Sequence, residues 1–313
     1  MKPSIKLCLL SLCLLLACPY TTADDSAPIP SDTVQYLVAN ATVCPVREDP
    51  SYAAEQATQL LFGEVCEFLE RHRGWTKIRS TVDGQVGWVS SSMLTPTDNP
   101  YPITDTRTAV VAHPIATATP INGGAPLLLT LGTRLPNYSH GVFEVLGQQY
   151  RIPSICVNVT TAKRSTGAAD LQRSDLQRSD LQRSDLIMIA KSLLNTPYLW
   201  GGKTAMGLDC SGFTQVVYAA VGVNILRNAR EQITQGEEVK LLSEALSGDL
   251  AFFGYTNSET QAIRITHVGL LLSPTEIIHC AGGRVHIDRI DTDGIYLSDG
   301  TKTHDLIQIK RYL

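Results

Sequence analysis

The sequence predicts an α+β domain at the C-terminal end of the chain, preceded by two small all-β barrels. Three observations predict it. Short alternating apolar segments, parted by turn residues, fill residues 34–160. From Leu186 the pattern changes to amphipathic helices followed by strands. Between the two lies a five-residue unit repeated three times. A chain of 313 residues has room for two or three domains. Its 43% hydrophobic and 18% charged residues are ordinary for a globular protein. A net charge of -4 and the lack of a basic stripe give no case for a nucleic-acid partner.

The N-terminus reads as a signal peptide over residues 1–23. Lys2 and Lys6 precede an almost wholly apolar run from Leu7 to Ala17. That run is too short for an ordinary transmembrane helix. Two exits are open. Thr21, Thr22 and Ala23 offer small residues for simple cleavage. "LLAC" (Leu15 to Cys18) resembles a bacterial lipobox, in which Cys18 would carry the lipid. The expected location is exported, periplasmic or at the cell envelope, with a membrane contact only through Cys18. Residues 24–33 are polar and Pro-rich, as in a linker. Export leaves Cys44, Cys66, Cys156, Cys210 and Cys280, too few for a dense disulfide scaffold.

Residues 34–96 hold short strands with turns at "EDPS" and "VDGQ". The order "VREDPS … LLFGE … GWTKI … DGQVGWV" resembles a bacterial SH3-like domain, closing with "GWV" and "SSSML". Cys44 and Cys66 fall where such domains bury apolar residues. They read either as core packing or, if they face each other, as a disulfide. Residues 101–160 show weaker strands, "RTAVVA", "APLLLTLGTRLP", "GVFEVLG" and "QYRIPSICVNV", which fit a second SH3-like barrel.

The linker 161–185 carries "LQRSD" at 171–175, 176–180 and 181–185. On a helix, five residues advance about 140° past a full turn, so the three leucines spiral around it. They cannot form one buried stripe. The expectation is a solvated spacer, helical or disordered, whose copy number matters little to chemistry.

Residues 186–313 form the C-terminal domain. Leu186, Ile189, Ala190, Leu193 and Leu194 follow the spacing of an amphipathic helix. In "GLDCSGFTQVVYAAVG", Phe213, Val216, Val217, Ala220 and Val221 follow it again. Asp209 is placed as the N-cap, and Cys210 as the first helical residue. Unpaired N–H groups and the helix dipole favour a thiolate there. A buried, inert cysteine would suit the same position.

A nucleophilic thiol needs a base and a group that orients the base. Strands are predicted at 248–254, 266–273 and 276–280. His267 shares a strand face with Gly269 and Leu271, where the glycine is expected to leave room for substrate. His279 ends the next strand. Cys210, His267 and His279 then read as nucleophile, base and orienting group. His72, His113, His140, His286 and His304 have no partner pattern and read as surface or satisfied histidines.

"TPYLWGG", "LDCSGF", "SGDLAFF", "THVGLLL" and "IIHCAG" occur in the order and spacing of the NlpC-type cell-wall endopeptidases. The resemblance covers Leu186 to Leu313 and implies a papain-like α+β cysteine peptidase domain. It implies hydrolysis between γ-D-glutamate and a diamino acid, usually meso-diaminopimelate, in peptidoglycan stem peptides or released muropeptides. It assigns Cys210, His267 and His279 as the triad, and Tyr198 as a group beside the nucleophile that helps bind the oxyanion. Asp209 and Ser211 match positions that contact the substrate peptide. No cofactor is required. One departure is Asn228, where relatives often carry aspartate. It puts in doubt a requirement for a free L-Ala terminus, but not catalysis.

Three other readings were weighed. A metal site from Cys210, His267, His279 and Cys280 is disfavoured. His279 and Cys280 are adjacent on a strand and point to opposite faces, and no CxxC or HExxH spacing occurs. A catalytically inactive wall- or peptide-binding protein would be expected to lose a triad member. A papain-like amidase or acyltransferase would keep the same triad.

Overall fold

A computed structural model describes residues 35–98, 107–161 and 173–313. The signal peptide and Cys18 lie outside the described residues. Among the described residues no helix is long and apolar enough to cross a membrane.

The first module is one antiparallel sheet. Its strands are β1 (Tyr36–Ala39), β2 (Val43–Arg47), β3 (Gln56–Leu61), β4 (Val65–His72), β5 (Trp75–Ser80), β6 (Val86–Ser90) and β7 (Leu94–Thr97). Their order is β3-β2-β6-β5-β4-β1-β7. Alternation buries Cys44 and Val46 on β2, and Thr76, Ile78 and Ser80 on β5. Cys44 and Cys66 are both free thiols in this core, so the packing reading applies rather than the disulfide. Burial pushes the Cys44 thiol up to about 11 and Cys66 higher still.

The second module has six strands in two sheets, where the first has one sheet. Strands β8 (Arg107–Val111) and β13 (Val157–Thr161) pair with each other. The other sheet runs β10-β9-β12-β11, from β9 (Ile115–Pro120), β10 (Leu127–Thr130), β11 (Val142–Val145) and β12 (Gln148–Arg151). The segment between β10 and β11 interrupts the ladder. It holds Pro136 and puts Gly132, Asn137, His140 and Gly141 at positive φ, which strand pairing does not tolerate. The module's core is shared: Val38, Phe62 and Val65 of the first module pack with Ala109, Val111, Leu129 and Phe143.

Helix α1 (Arg173–Ser192) runs through the boundary that the sequence pattern places at residue 186. It is not merely a solvated spacer. Arg183, in the last repeat copy, is buried and donates to Asp249 Oδ1 at 3.4 Å and to the Ser247 carbonyl at 2.9 Å. It also donates to the Leu313 carbonyl. Gln182 Nε2 donates to the Val221 carbonyl at 2.7 Å. Leu186, Ile189, Ala190 and Leu193 are buried as the spacing predicts, while Leu194, beyond the helix end, is exposed.

A short hairpin follows, β14 (Lys203–Thr204) with β15 (Gly207–Leu208), then α2 (Cys210–Ala220) and the single-turn α3 (Ala229–Gln232). A second large sheet closes the chain: β16 (Glu237–Val239), β17 (Leu250–Thr256), β18 (Ile263–Ser273), β19 (Glu276–Ala281), β20 (Arg284–Asp291), β21 (Gly294–Tyr296) and β22 (Lys302–Arg311). The order is β16-β22-β17-β18-β19-β20-β21, and β21 also pairs with β22. One sheet face, with Leu250, Phe252, Val268, Leu270, Ile278 and Cys280, packs in the same core as Phe213, Val216 and Val217 of α2. The other face carries Ala251, Phe253, Leu271 and Ile277. Residues from Asp32 onward form one compact unit, so the β modules and the C-terminal domain are packed together.

Candidate active site

Asp209 begins the site because its backbone is extended (φ -93°, ψ 179°) and its side chain caps α2. Its Oδ1 accepts from Gly212 N at 2.6 Å, Arg227 Nη1 at 3.0 Å and Ser211 Oγ at 3.3 Å. Its Oδ2 accepts from Arg227 Nη2 at 2.6 Å and Gly201 N at 3.0 Å. Both oxygens are occupied, and Ser211 Oγ also accepts from Arg227 Nη1 at 3.0 Å. These contacts hold the Asp209 and Ser211 side chains in place. They fix the Trp200-Gly201-Gly202 loop to the start of α2. Gly212 has no room for a side chain: a Cβ there would lie 2.0 Å from the Gly202 carbonyl oxygen.

Cys210 is the first residue of α2 and is half-buried. The backbone N–H groups of Val268 and Ser211 act on its sulfur. The helix-terminus argument favours a thiolate, yet the net direction is opposite. Burial and then the Asp209 carboxylate push the thiol up to about 11, against those N–H groups and Arg227. Burial raises the Tyr198 phenol most, and the Cys210 and Asp209 charges raise it further. It therefore stays a hydroxyl donor.

His267 lies within β18, not at its start, opposite Phe253 on β17. The β17–β18 register shifts between Phe253 and Gly254, a bulge that re-aims side chains beside it. His267 Nε2 is 2.8 Å from His279 Nδ1. His267 Nδ1 is not part of this contact. The space at Gly269 is not free for substrate, contrary to expectation. A Cβ there would meet Ile277 Cδ1 at 2.6 Å and His279 Cβ at 2.9 Å, so the glycine makes room for His279.

Two histidines read as surface or satisfied groups pack against the His267–His279 pair. His304, on β22, stacks on His267 with centroids 4.3 Å apart. His286, directly opposite His279 in the β19–β20 ladder, packs at 4.5 Å from it. His279 Nε2 lies 3.1 Å from Asp288 Oδ2, and His286 Nε2 lies 3.0 Å from the same oxygen. Burial holds His267 well below its ordinary value, helped by His279, His304 and His286. Burial also lowers His279, with Asp288 opposing in part. Burial works to raise Asp288, but the two histidines outweigh it and hold the carboxyl below the ordinary range. A neutral thiol beside a neutral imidazole is the resting state these directions describe.

Cys280 is on the far face of β19, as its neighbour relation to His279 requires. It donates to the Leu208 carbonyl at 3.1 Å and is pushed up to about 12 by burial. The one His/Asp set with metal-ligand proximity among the described residues is His279, His286 and Asp288, within 4.8 Å of one another. It differs from the cysteine-containing set that the sequence suggests. Hydrogen bonds already join all three.

Sequence reasoning missed Asp288, His304 and the role of Arg227. A period-2 reading of "RVHIDRI" would have put His286 and Asp288 on one face. Arg227 is fully buried, and no local pattern marks it.

The fold and site together describe a protein with the architecture of the thiol peptidases. Residues 195–300 match the NlpC/P60 family, and residues 46–94 match the bacterial dipeptidyl-peptidase SH3 domain. The chain is 30% identical over 234 residues to the γ-D-glutamyl-L-lysine dipeptidyl-peptidase of Bacillus subtilis (strain 168), covering 71% of each. A protein of the same name from Bacillus cereus is 25% identical over 253 residues, covering 76% of this chain and 71% of that one. In fold, a crystal structure of an NlpC/P60 family protein from Bacillus cereus matches with a TM-score of 0.69 at 20% identity. It spans 89% of this chain and 99% of that one. The chain belongs to the NlpC/P60 family of peptidases, with an SH3 domain of the bacterial dipeptidyl-peptidase type in front.

Proposed function

We propose that the protein is an exported cysteine peptidase that hydrolyses the bond between γ-D-glutamate and a diamino acid in cell-wall stem peptides. The observation that carries the reading is the His267–His279 pair at 2.8 Å, in which His267 precedes Val268, whose N–H acts on the Cys210 sulfur. As the Cys210 sulfur attacks the γ-glutamyl carbonyl, His267 Nδ1 takes the thiol proton. The negative oxygen is held by the Cys210 backbone N–H and the Tyr198 hydroxyl. His267 then gives the proton to the leaving amine, and the C–N bond breaks. Water attacks the resulting thioester while giving a proton to His267. That proton returns to sulfur as the free glutamyl acid departs.

The first β module supports a short, closed-ended cleft. Gln56 Nε2 donates to the Trp200 carbonyl at 3.0 Å, and a Cβ on Gly201 would lie 2.3 Å from the Gln56 carbonyl oxygen. The barrel thus stands two to three residues from Tyr198, at the mouth of the site. The relatives named dipeptidyl-peptidase suit a substrate with two residues before the cut. Asn228 does not face such a substrate as a free carboxamide, because it caps α3 and donates to Gln85 Oε1 at 3.3 Å.

The test is mass spectrometry of L-Ala-γ-D-Glu-L-Lys, its meso-diaminopimelate counterpart and glycan-linked stems after incubation with enzyme. Release of L-Ala-γ-D-Glu by wild type, and not by Cys210→Ala, is the expected result. Equal products from both proteins would remove Cys210 from the chemistry. Cleavage of glycan-linked stems as fast as free tripeptide would remove the closed-ended cleft.

A further inference from the structure

We propose that Asp288 is a positioning residue that sets the tautomers of both histidines, making the site a four-membered relay from Asp288 through His279 and His267 to Cys210. The inference deepens the peptidase reading and rests on it for the role of Cys210.

The argument follows protons. Asp288 is held below the ordinary carboxylate range, so at neutral pH it can only accept. His279 Nε2, 3.1 Å from Asp288 Oδ2, must then carry the ring proton. A neutral imidazole has one N–H, so His279 Nδ1 is bare. His267 Nε2, 2.8 Å from that bare nitrogen, must carry its own ring proton. His267 Nδ1 is consequently the bare nitrogen, the form a general base needs. Without the carboxylate, both rings can reverse together with the same hydrogen bond between them. His267 would then hold a proton on Nδ1 and could not accept one from the thiol.

The surroundings keep Asp288 in this role. His286 Nε2 lies 3.0 Å from the same carboxylate oxygen and donates to it when that nitrogen carries a proton; a second proton, on Nδ1, is needed for the 2.9 Å contact to the Arg284 carbonyl to be a hydrogen bond as well. With the Nε2 proton in place, the carboxylate is held from a second side. Asp288 touches no reacting atom, and it acts only through His279. Its place is set by the β19–β20 register, which pairs His279 with His286 and leaves Asp288 two residues further along the same face.

The test compares wild type with Asp288→Asn, Asp288→Ala and His267→Ala in the full chain. Stem-peptide hydrolysis gives kcat and KM. Iodoacetamide labelling of Cys210 across pH 5–10, read peptide by peptide, reports the thiol without any substrate. The groups bearing on that profile are Asp209, Arg227 and Tyr198 around the thiol, His267, His279, His286 and Asp288 from β18 to β20, and His304 and Asp305 from β22. The expected result is a kcat lower by about 10²-fold with KM within about twofold. Labelling of Cys210 at neutral pH should fall roughly tenfold, toward the His267→Ala profile. Imidazole 15N shifts should show a proton on Nε2 of His279 in wild type and a mixed or reversed tautomer in Asp288→Asn.

An Asp288→Asn enzyme with wild-type kcat, wild-type labelling and an unchanged His279 tautomer would overturn the proposal. If wild type cuts no stem peptide, yet labelling depends on both His267 and Asp288, the substrate reading fails and the relay stands. If labelling ignores both residues, the relay fails. Should the variants not fold, the wild-type 15N spectrum still decides: a proton on His279 Nδ1 would overturn the assignment.

Discussion

The first β module meets the Cys210 end of α2 and the hairpin before it through buried charged and polar side chains, and the second meets the far half of α2 through apolar contact and side-chain hydrogen bonds. From the first, Thr58 accepts from Arg227 Nε at 2.8 Å, and Glu64 pairs with buried Lys203 at 3.0 Å. Gln59 Oε1 accepts from Lys203 N at 2.9 Å, and Asp83 Oδ2 accepts from Gln215 at 3.0 Å. From the second, Leu131 enters the α2 core, Asn158 Nδ2 donates to the Ala220 carbonyl at 3.0 Å, and Arg134 donates to Asn224 at 2.6 Å. Buried charge is orientation-sensitive, and a lost partner is costly, whereas apolar contact tolerates small shifts. The difference teaches where accuracy is held: the precise joint lies at the Cys210 end of the helix.

The sharpest way to break the comparison is Arg227→Leu. It leaves Asp209 buried without its cation and frees the cap of α2. We expect about 3–5 kcal/mol of lost stability by urea unfolding, and stem-peptide hydrolysis near the detection limit. Hydrolysis at wild-type rate would show that the charged joint does not support catalysis.

Next is the Glu64–Lys203 pair. Glu64→Leu or Lys203→Met alone should cost about 3 kcal/mol, because each strands a buried charge. The double change Glu64→Leu with Lys203→Met should return to within about 1 kcal/mol of wild type. Additive losses in the cycle would mean the pair is not coupled.

The second module should respond differently. Leu131→Ala is expected to cost about 2–3 kcal/mol, and Asn158→Ala about 1 kcal/mol. Both should keep kcat within about threefold. A kcat loss in Asn158→Ala matching that of Arg227→Leu would erase the distinction between the modules.

The smallest effect is that of pH. His267, His279 and His304 have depressed folded values, so the unfolded chain takes up protons first as pH falls below about 6.5. Stability should decline from there, by a few degrees of Tm in calorimetry at pH 5. Burial works to raise Asp83, but Lys203 and its hydrogen bonds hold it below the ordinary range. Its contribution is present above about pH 3.8 and is lost as pH falls through the lower folded value. Near pH 3, hydrogen exchange should therefore speed at Lys203 N, bonded to the first module, before Ala205 N, bonded to Thr130 of the second.

The parts legible in the sequence were those with local grammar. The Asp209 cap, the start of α2 at Cys210, and the strands bearing His267 and His279 all follow from periodicity and capping within a dozen residues. Arg227 was not legible, because its partners Thr58 and Asp209 lie 169 and 18 residues away. His304 was not legible because its stacking depends on β22 pairing beside β17, a long-range choice. The repeat misled for a related reason. Its internal symmetry describes all copies alike, while burial depends on which copy meets Asp249 and Ser247.

That last point has a genetic side. Gain or loss of whole five-residue copies keeps the reading frame. The Arg183 contacts belong to the final copy, and that copy stays next to Leu186 however many precede it. A gain or loss upstream would change the helix by about 7.5 Å and leave the anchor untouched. The locus can thus vary in length between isolates while the enzyme it encodes keeps its footing.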